Sequence, residues 1–143
     1  MSGLSNTPIG RFDPKSGLFI LTDQWVCPLS GNMVLVVDPG FKSDGASIPK
    51  PLQSYVNPRY SAKTFGAAFA HDAMYAGELV DRKDADQEFY RLLKKYGSHE
   101  IMARIYFYSV RLFGWIVWLG HSKKSVEKAR SLCRIISNQS LYF

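Results

Sequence analysis

The hydrophobic period changes once along this chain, near Tyr60, and that change sets the order in which strand and helix follow each other. Before it, short extended runs LFIL (18–21), QWVC (24–27) and MVLVV (33–37) are separated by Thr22-Asp23 and by Pro28-Leu29-Ser30-Gly31-Asn32, which carries hairpin-turn residues. The spacing predicts an antiparallel β-meander over 17–41, after an N-terminal arm over 1–16. The stretch DPGFKSDGASIPKPL (38–52) is too rich in proline and glycine for helix or strand, so 42–59 reads as an ordered loop. Apolar residues then recur every three to four positions. Ser61 can cap a first helix that Gly77 ends. Asp81 and Asp84 resemble a capping box opening a second helix that Gly97 stops. A third pattern covers 101–120, which completes a helical core over 60–120, and a basic helix, SVEKARSLCRII (125–136), lies in the closing segment 121–143. The expectation is one α+β domain, a short β-meander and loop followed by three to four helices.

At 143 residues the chain can bury a core without cross-links. Cys27 and Cys133 stand far apart with no metal-ligand spacing, which fits buried free thiols in a reducing compartment. The start, MSGLSNTPIGRFDPKSG, has no apolar core of a secretory signal, so the expected setting is cytoplasmic. Of the net charge of +6, much belongs to residues 91–136, where ten Lys and Arg face only Glu100 and Glu127. No helix-turn-helix, RNA-recognition or zinc pattern accompanies that charge, so nucleic acid is disfavoured as a partner.

The segment FAHDAMYAGE (69–78) sets His71 and Asp72 among small and apolar residues. An inward-facing histidine alone is most simply a satisfied core residue. Asp72 is harder to place, because a buried carboxylate costs several kcal/mol unless it finds a cation, a metal or several donors. Asp86 makes the same demand: its helical neighbours Arg82, Phe89, Tyr90 and Leu93 turn it inward. If the two helices run antiparallel, Asp86 can reach a ring nitrogen of His71, fix its tautomer and leave the other nitrogen to activate water. The loop SDGAS (43–47) can present carbonyl oxygens. Together with the Asp72 carboxylate these are hard ligands of the kind Ca²⁺ takes.

The ordered set SDGAS, AFAHDAMY and DRKDADQEFYRLL resembles the catalytic core of phospholipase A2 enzymes, in particular the bacterial, fungal and parvoviral-capsid forms. That resemblance implies a core helix pair with His71 as general base, Tyr75 and Asp86 supporting it, and Asp72 as a calcium carboxylate. Asp44, Gly45 and Ala46 would belong to the calcium loop. Secreted members tie this loop to the helix with a disulfide. The corresponding positions here are Ala46 and Ala68, as in a protein where the link is dropped as a pair. A second resemblance runs from about Ile20 to Gly120, through PGFxxDGASxP (39–49), HDxxY (71–75), RKxADxxFY (82–90) and RLFG (111–114). Those pieces are similar to an uncharacterised domain-of-unknown-function family of bacteriophage and prophage genomes. It implies a phage-encoded protein of the host cytoplasm, virion-associated or peripheral to the membrane, with other virion proteins as candidate partners.

The third helix has the length of a membrane span, but Arg104 and Arg111 interrupt it and share one face. It reads first as a core helix, and alternatively as an interfacial helix whose aromatic and basic residues meet anionic lipid or as a subunit interface. Two functions therefore stand open: a phospholipase A2-like hydrolase using His71, Asp86, Tyr75 and Ca²⁺, and a non-enzymatic phage virion or partner-binding module in which the same residues form a buried polar network.

Overall fold

The computed structural model describes residues 7–45 and 61–139, and among these residues the chain is α+β, with strands leading and helices following. In chain order it forms β1 (Gly10–Phe12), β2 (Phe19–Leu21), β3 (Trp25–Pro28), β4 (Met33–Val37), β5 (Lys42–Ser43), α1 (Phe65–Ala76), α2 (Arg82–Lys95), α3 (Glu100–Leu119), α4 (Lys123–Arg130) and β6 (Cys133–Ser137). Most of the expected loop over 42–59, Ala46 included, lies outside the described residues.

The N-terminal meander divides between two antiparallel sheets, ordered β1-β2-β5 and β3-β4-β6. The division has a local cause. The Leu21 amide donates to the Phe41 carbonyl at 2.9 Å and the Leu21 carbonyl accepts from Gly40 at 2.8 Å, so the chain entering β5 occupies the edge of β2 that β3 would need. Gly40 takes φ +103°, a conformation open to glycine and strained for other residues. Between β3 and β4 the turn uses Gly31 and Asn32 at φ +73° and +58°.

The tail departs from its expected helix over 125–136. Helix α4 spans Lys123–Arg130, and Cys133–Ser137 is a strand beside β4, in register Val34↔Ile136 and Leu35↔Ile135. Alternation of buried and exposed residues in Cys133-Arg134-Ile135 suits a strand. Both cysteines are free and buried in this sheet, and burial pushes the Cys133 thiol up to about 12, which leaves it unreactive at neutral pH.

The helix ends also differ in detail from their sequence signals. Ser61 stands one turn before α1: its carbonyl accepts from Phe65 at 2.8 Å, and Thr64 takes the N-cap position. The Asp81–Asp84 capping box does not form, because Asp81 is the N-cap of α2 without a side-chain cap bond. At the far end of α2, Gly97 at φ +98° closes the helix as expected, with the Ser98 amide donating to the Leu93 carbonyl at 2.9 Å.

Helix α1 is buried on nearly every side because its residues are small or aromatic. Phe69 at its centre meets Phe19, Trp25, Phe41 and Phe65 edge-on, with centroids 6.0, 5.3, 5.4 and 5.9 Å away. Phe19 belongs to one sheet and Trp25 to the other, so one ring joins both sheets to the helix that carries His71. Such pairs add about 0.5–1.5 kcal/mol each beyond area burial. Helix α2 then lies between α1 and α3, with Ala85, Asp86, Phe89, Leu92 and Leu93 turned inward.

Candidate functional site

Asp86 on α2 is fully buried, yet it is a satisfied acid. Its Oδ1 stands 2.7 Å from His71 Nε2 and accepts from the Tyr75 hydroxyl at 2.6 Å. Its Oδ2 accepts from Arg111 at 2.8 Å and lies 3.5 Å from Arg82. Burial alone would push this carboxyl up, but the hydrogen bonds from His71, Tyr75 and Arg111 hold it below the usual carboxylate range. For His71 the balance runs the other way. Burial lowers its pKa more than the hydrogen bond and charge of Asp86 raise it, so the imidazole is neutral at neutral pH.

His71 packs against two tilted rings, with the Tyr75 centroid 4.1 Å away at 39° and that of Phe89 4.7 Å away at 33°. With Nε2 committed to Asp86, the second nitrogen is the chemically free one. Among the described residues every buried side-chain nitrogen has a partner, and Nδ1, which has none, keeps accessible surface. His71 also lines a cavity of about 490 Å³ whose walls include Phe89, Tyr106, Val110, Phe113 and Val117. The wall at His71 is thus polar, and the neighbouring walls from α2 and α3 are largely apolar.

Across the same cavity lie Asp72, Ser43, Asp44 and Gly45. The Ser43 hydroxyl donates to Asp72 Oδ2 at 2.5 Å and accepts from the Gly45 amide at 3.0 Å, which ties the loop after β5 to α1. Gly45 at φ +75° makes that turn. Burial, then the neighbouring Asp44 carboxylate, push Asp72 well above the usual carboxylate range, against the pull of the Ser43 hydroxyl. A buried carboxyl raised by its surroundings and by a neighbouring carboxylate is an environment that a hard cation would relieve. Among the described residues no three His, Cys, Asp or Glu side chains gather as a metal cluster, so a cation here would depend on carbonyl ligands. Ala46 lies outside the described residues, and Ala68 lines the cavity wall.

Of the residues expected at the site, His71, Asp86 and Tyr75 form one cluster, and Asp72, Asp44 and Gly45 form another on the same cavity. Sequence reasoning missed the two arginines on Asp86. Arg82 had a local signal, since it stands four residues before Asp86 on one helix face. Arg111 had none, since α3 brings it in from 25 residues away. Gly114 was quoted only as part of RLFG. A Cβ there would lie 2.6 Å from the Tyr75 hydroxyl oxygen and 3.2 Å from Arg82 Nη1, so glycine lets α3 close over the cluster. His121 was also missed; it lines the cavity, and its Nδ1 is 3.1 Å from Glu78, itself at φ +45°.

No curated protein and no solved structure matches the chain. The family described as "Protein of unknown function (DUF1353)" matches residues 19–110, which include His71, Tyr75 and Asp86, and the chain belongs to that family.

Proposed function

We propose that this protein is a phospholipase A2-like hydrolase that cleaves an ester of a glycerophospholipid, with His71 as general base and Asp86 and Tyr75 as positioning residues. The observation that carries the reading is the 2.7 Å contact between His71 Nε2 and Asp86 Oδ1 at the wall of a cavity of about 490 Å³. A carboxylate that accepts from Nε2 fixes the tautomer in which Nδ1 is the acceptor, and a neutral acceptor nitrogen is what takes a proton from water. As the proton passes to Nδ1, the water oxygen attacks the ester carbonyl carbon. Collapse of the tetrahedral adduct breaks the bond to the glycerol oxygen, which takes the proton from His71. The products are a fatty acid and a lysophospholipid. The apolar walls suit an acyl chain.

Asp72, with Asp44 and the carbonyls of the loop at Gly45, would hold Ca²⁺. When bound, the ion would polarise the ester carbonyl and stabilise the oxyanion. In the same reading the protein is phage-encoded and acts in the host cytoplasm or at a membrane surface, which the motif resemblances support. The test is fatty-acid release from a soluble short-chain phosphatidylcholine, with Ca²⁺ and with chelator, by the protein and by its His71→Ala variant. Calcium-dependent release that falls by about 10²–10⁴-fold in the variant is expected. Release that survives in the variant would remove His71 from the chemistry.

One observation favours a second reading, the buried polar network of a virion or partner-binding module. Asp86 contacts two arginines in addition to His71 and Tyr75, which is more than orientation of an imidazole needs. In that case His71→Ala and Asp86→Asn would both lower stability, and neither protein nor variants would hydrolyse lipid.

A further inference from the structure

Helix α3 packs one face on α2 and leaves the other bare. Of the ten large hydrophobic residues that are exposed among the described residues, eight lie on this helix, including Leu112 at 63%, Trp115 at 51% and Leu119 at 74%. Patches of that extent mark a binding surface in a stable protein. The face is also continuous with the candidate site. A furrow of about 330 Å³ along α3 shares Ser109 and Phe113 with the His71 cavity, and Phe113 and Val117 form an exposed apolar lip of that cavity.

Charge separates the occupants such a face could take. From Ile101 to Val126 the chain has no acidic residue; Arg104 is paired with Glu100 and Arg111 with Asp86, and Lys123 and Lys124 add basic charge. Arg104 lies on the furrow, and Lys123 and Lys124 are exposed just past the end of α3. A second copy of the chain would bring a like-charged face against this one, whereas an anionic lipid surface is attracted by it. Trp115 and Tyr108 have the apolar body and polar tip suited to the headgroup boundary. No described helix is long and apolar enough to cross a membrane, so the fitting arrangement has α3 lying in the interface plane.

We infer that the outer face of α3 docks the protein on anionic bilayers, with the mouth of the His71 cavity against the lipid. The inference rests on the hydrolase reading for its purpose, but its test does not need hydrolysis. The experiment is flotation of the full chain carrying His71→Ala with vesicles of phosphatidylcholine alone and of phosphatidylcholine with phosphatidylglycerol. Binding to the anionic vesicles is expected, weakening as salt is added. Replacing two exposed residues together, Leu112→Ser and Leu119→Ser, should weaken it about tenfold or more, with the melting temperature checked in parallel. Absence of flotation with anionic vesicles, or flotation indifferent to the paired replacement, would overturn the inference. So would a concentration-dependent dimer, seen by sedimentation, that the same replacement dissolves. Flotation without lipid hydrolysis by the unaltered protein would instead leave the docking face standing and remove the enzyme.

Discussion

Asp86 accepts bonds from His71, Tyr75 and Arg111 at 2.7, 2.6 and 2.8 Å while fully buried, so its replacement leaves several groups unmatched at once. Asp86→Asn keeps the size of the side chain but strands two guanidinium groups beside a neutral amide. A loss of about 3 kcal/mol or more is expected in denaturant unfolding. His71→Ala leaves the Asp86 carboxylate paired with arginine and tyrosine, and should cost less, about 1–3 kcal/mol. The pH dependence has a definite sign. His71 is held below its ordinary value of about 6.5, so on acidification the unfolded chain takes up that proton first and stability falls as pH drops below about 6.5. Asp86, also lowered, adds stability above about pH 3.9 that is lost as pH falls through its folded value. Asp72 is raised and acts oppositely: the folded state holds its proton more tightly, so stability is lost as pH rises through its folded value. Without a cation, Asp72→Asn should therefore raise the melting temperature at neutral pH, and the gain should vanish below about pH 3.9. With Ca²⁺ added, the unaltered protein should gain stability and the variant should not.

At the scale of elements, Gly114 on α3 and Tyr75 on α1 act as one joint. Gly114→Ala places a methyl group 2.6 Å from the Tyr75 hydroxyl oxygen, which must move off Asp86 or push α3 outward. Calorimetry should read a loss of about 1–3 kcal/mol despite the better helix propensity of alanine. The same scale separates what was legible in the sequence from what was not. The change of period at Tyr60 separated strands from helices because both periodicities follow from the side-chain directions of local backbone. His71, Tyr75 and Asp86 were legible for a similar reason: four positions apart is one helix face, and a short link sets two helices side by side. β6 was not legible, because Cys133–Ser137 is a strand by virtue of β4, about a hundred residues earlier, and its charged approach read as helix. The partition of the meander into two sheets depends on Leu21 meeting Gly40 and Phe41, which no period records.

For the whole molecule, the cavity and the bare face of α3 both arise from where three helices meet the two sheets. Their shape depends on side chains from distant segments, so the apolar and aromatic run over 101–120 favoured a core helix and left an interfacial helix or a subunit interface open. Packing gives α3 one buried and one exposed face: Ala103, Tyr106, Ser109 and Gly114 are buried while Leu112, Trp115 and Leu119 are not. The central claim is that a neutral His71, oriented by Asp86, activates water in this cavity. Its most direct test is the pH–rate profile of fatty-acid release in saturating Ca²⁺, for the protein and for His71→Ala. A single acidic limb below about pH 6.5, absent together with the activity in the variant, is the expected result. No release at any pH, or a profile unchanged in the variant, would contradict it and leave His71 as a strut between two helices.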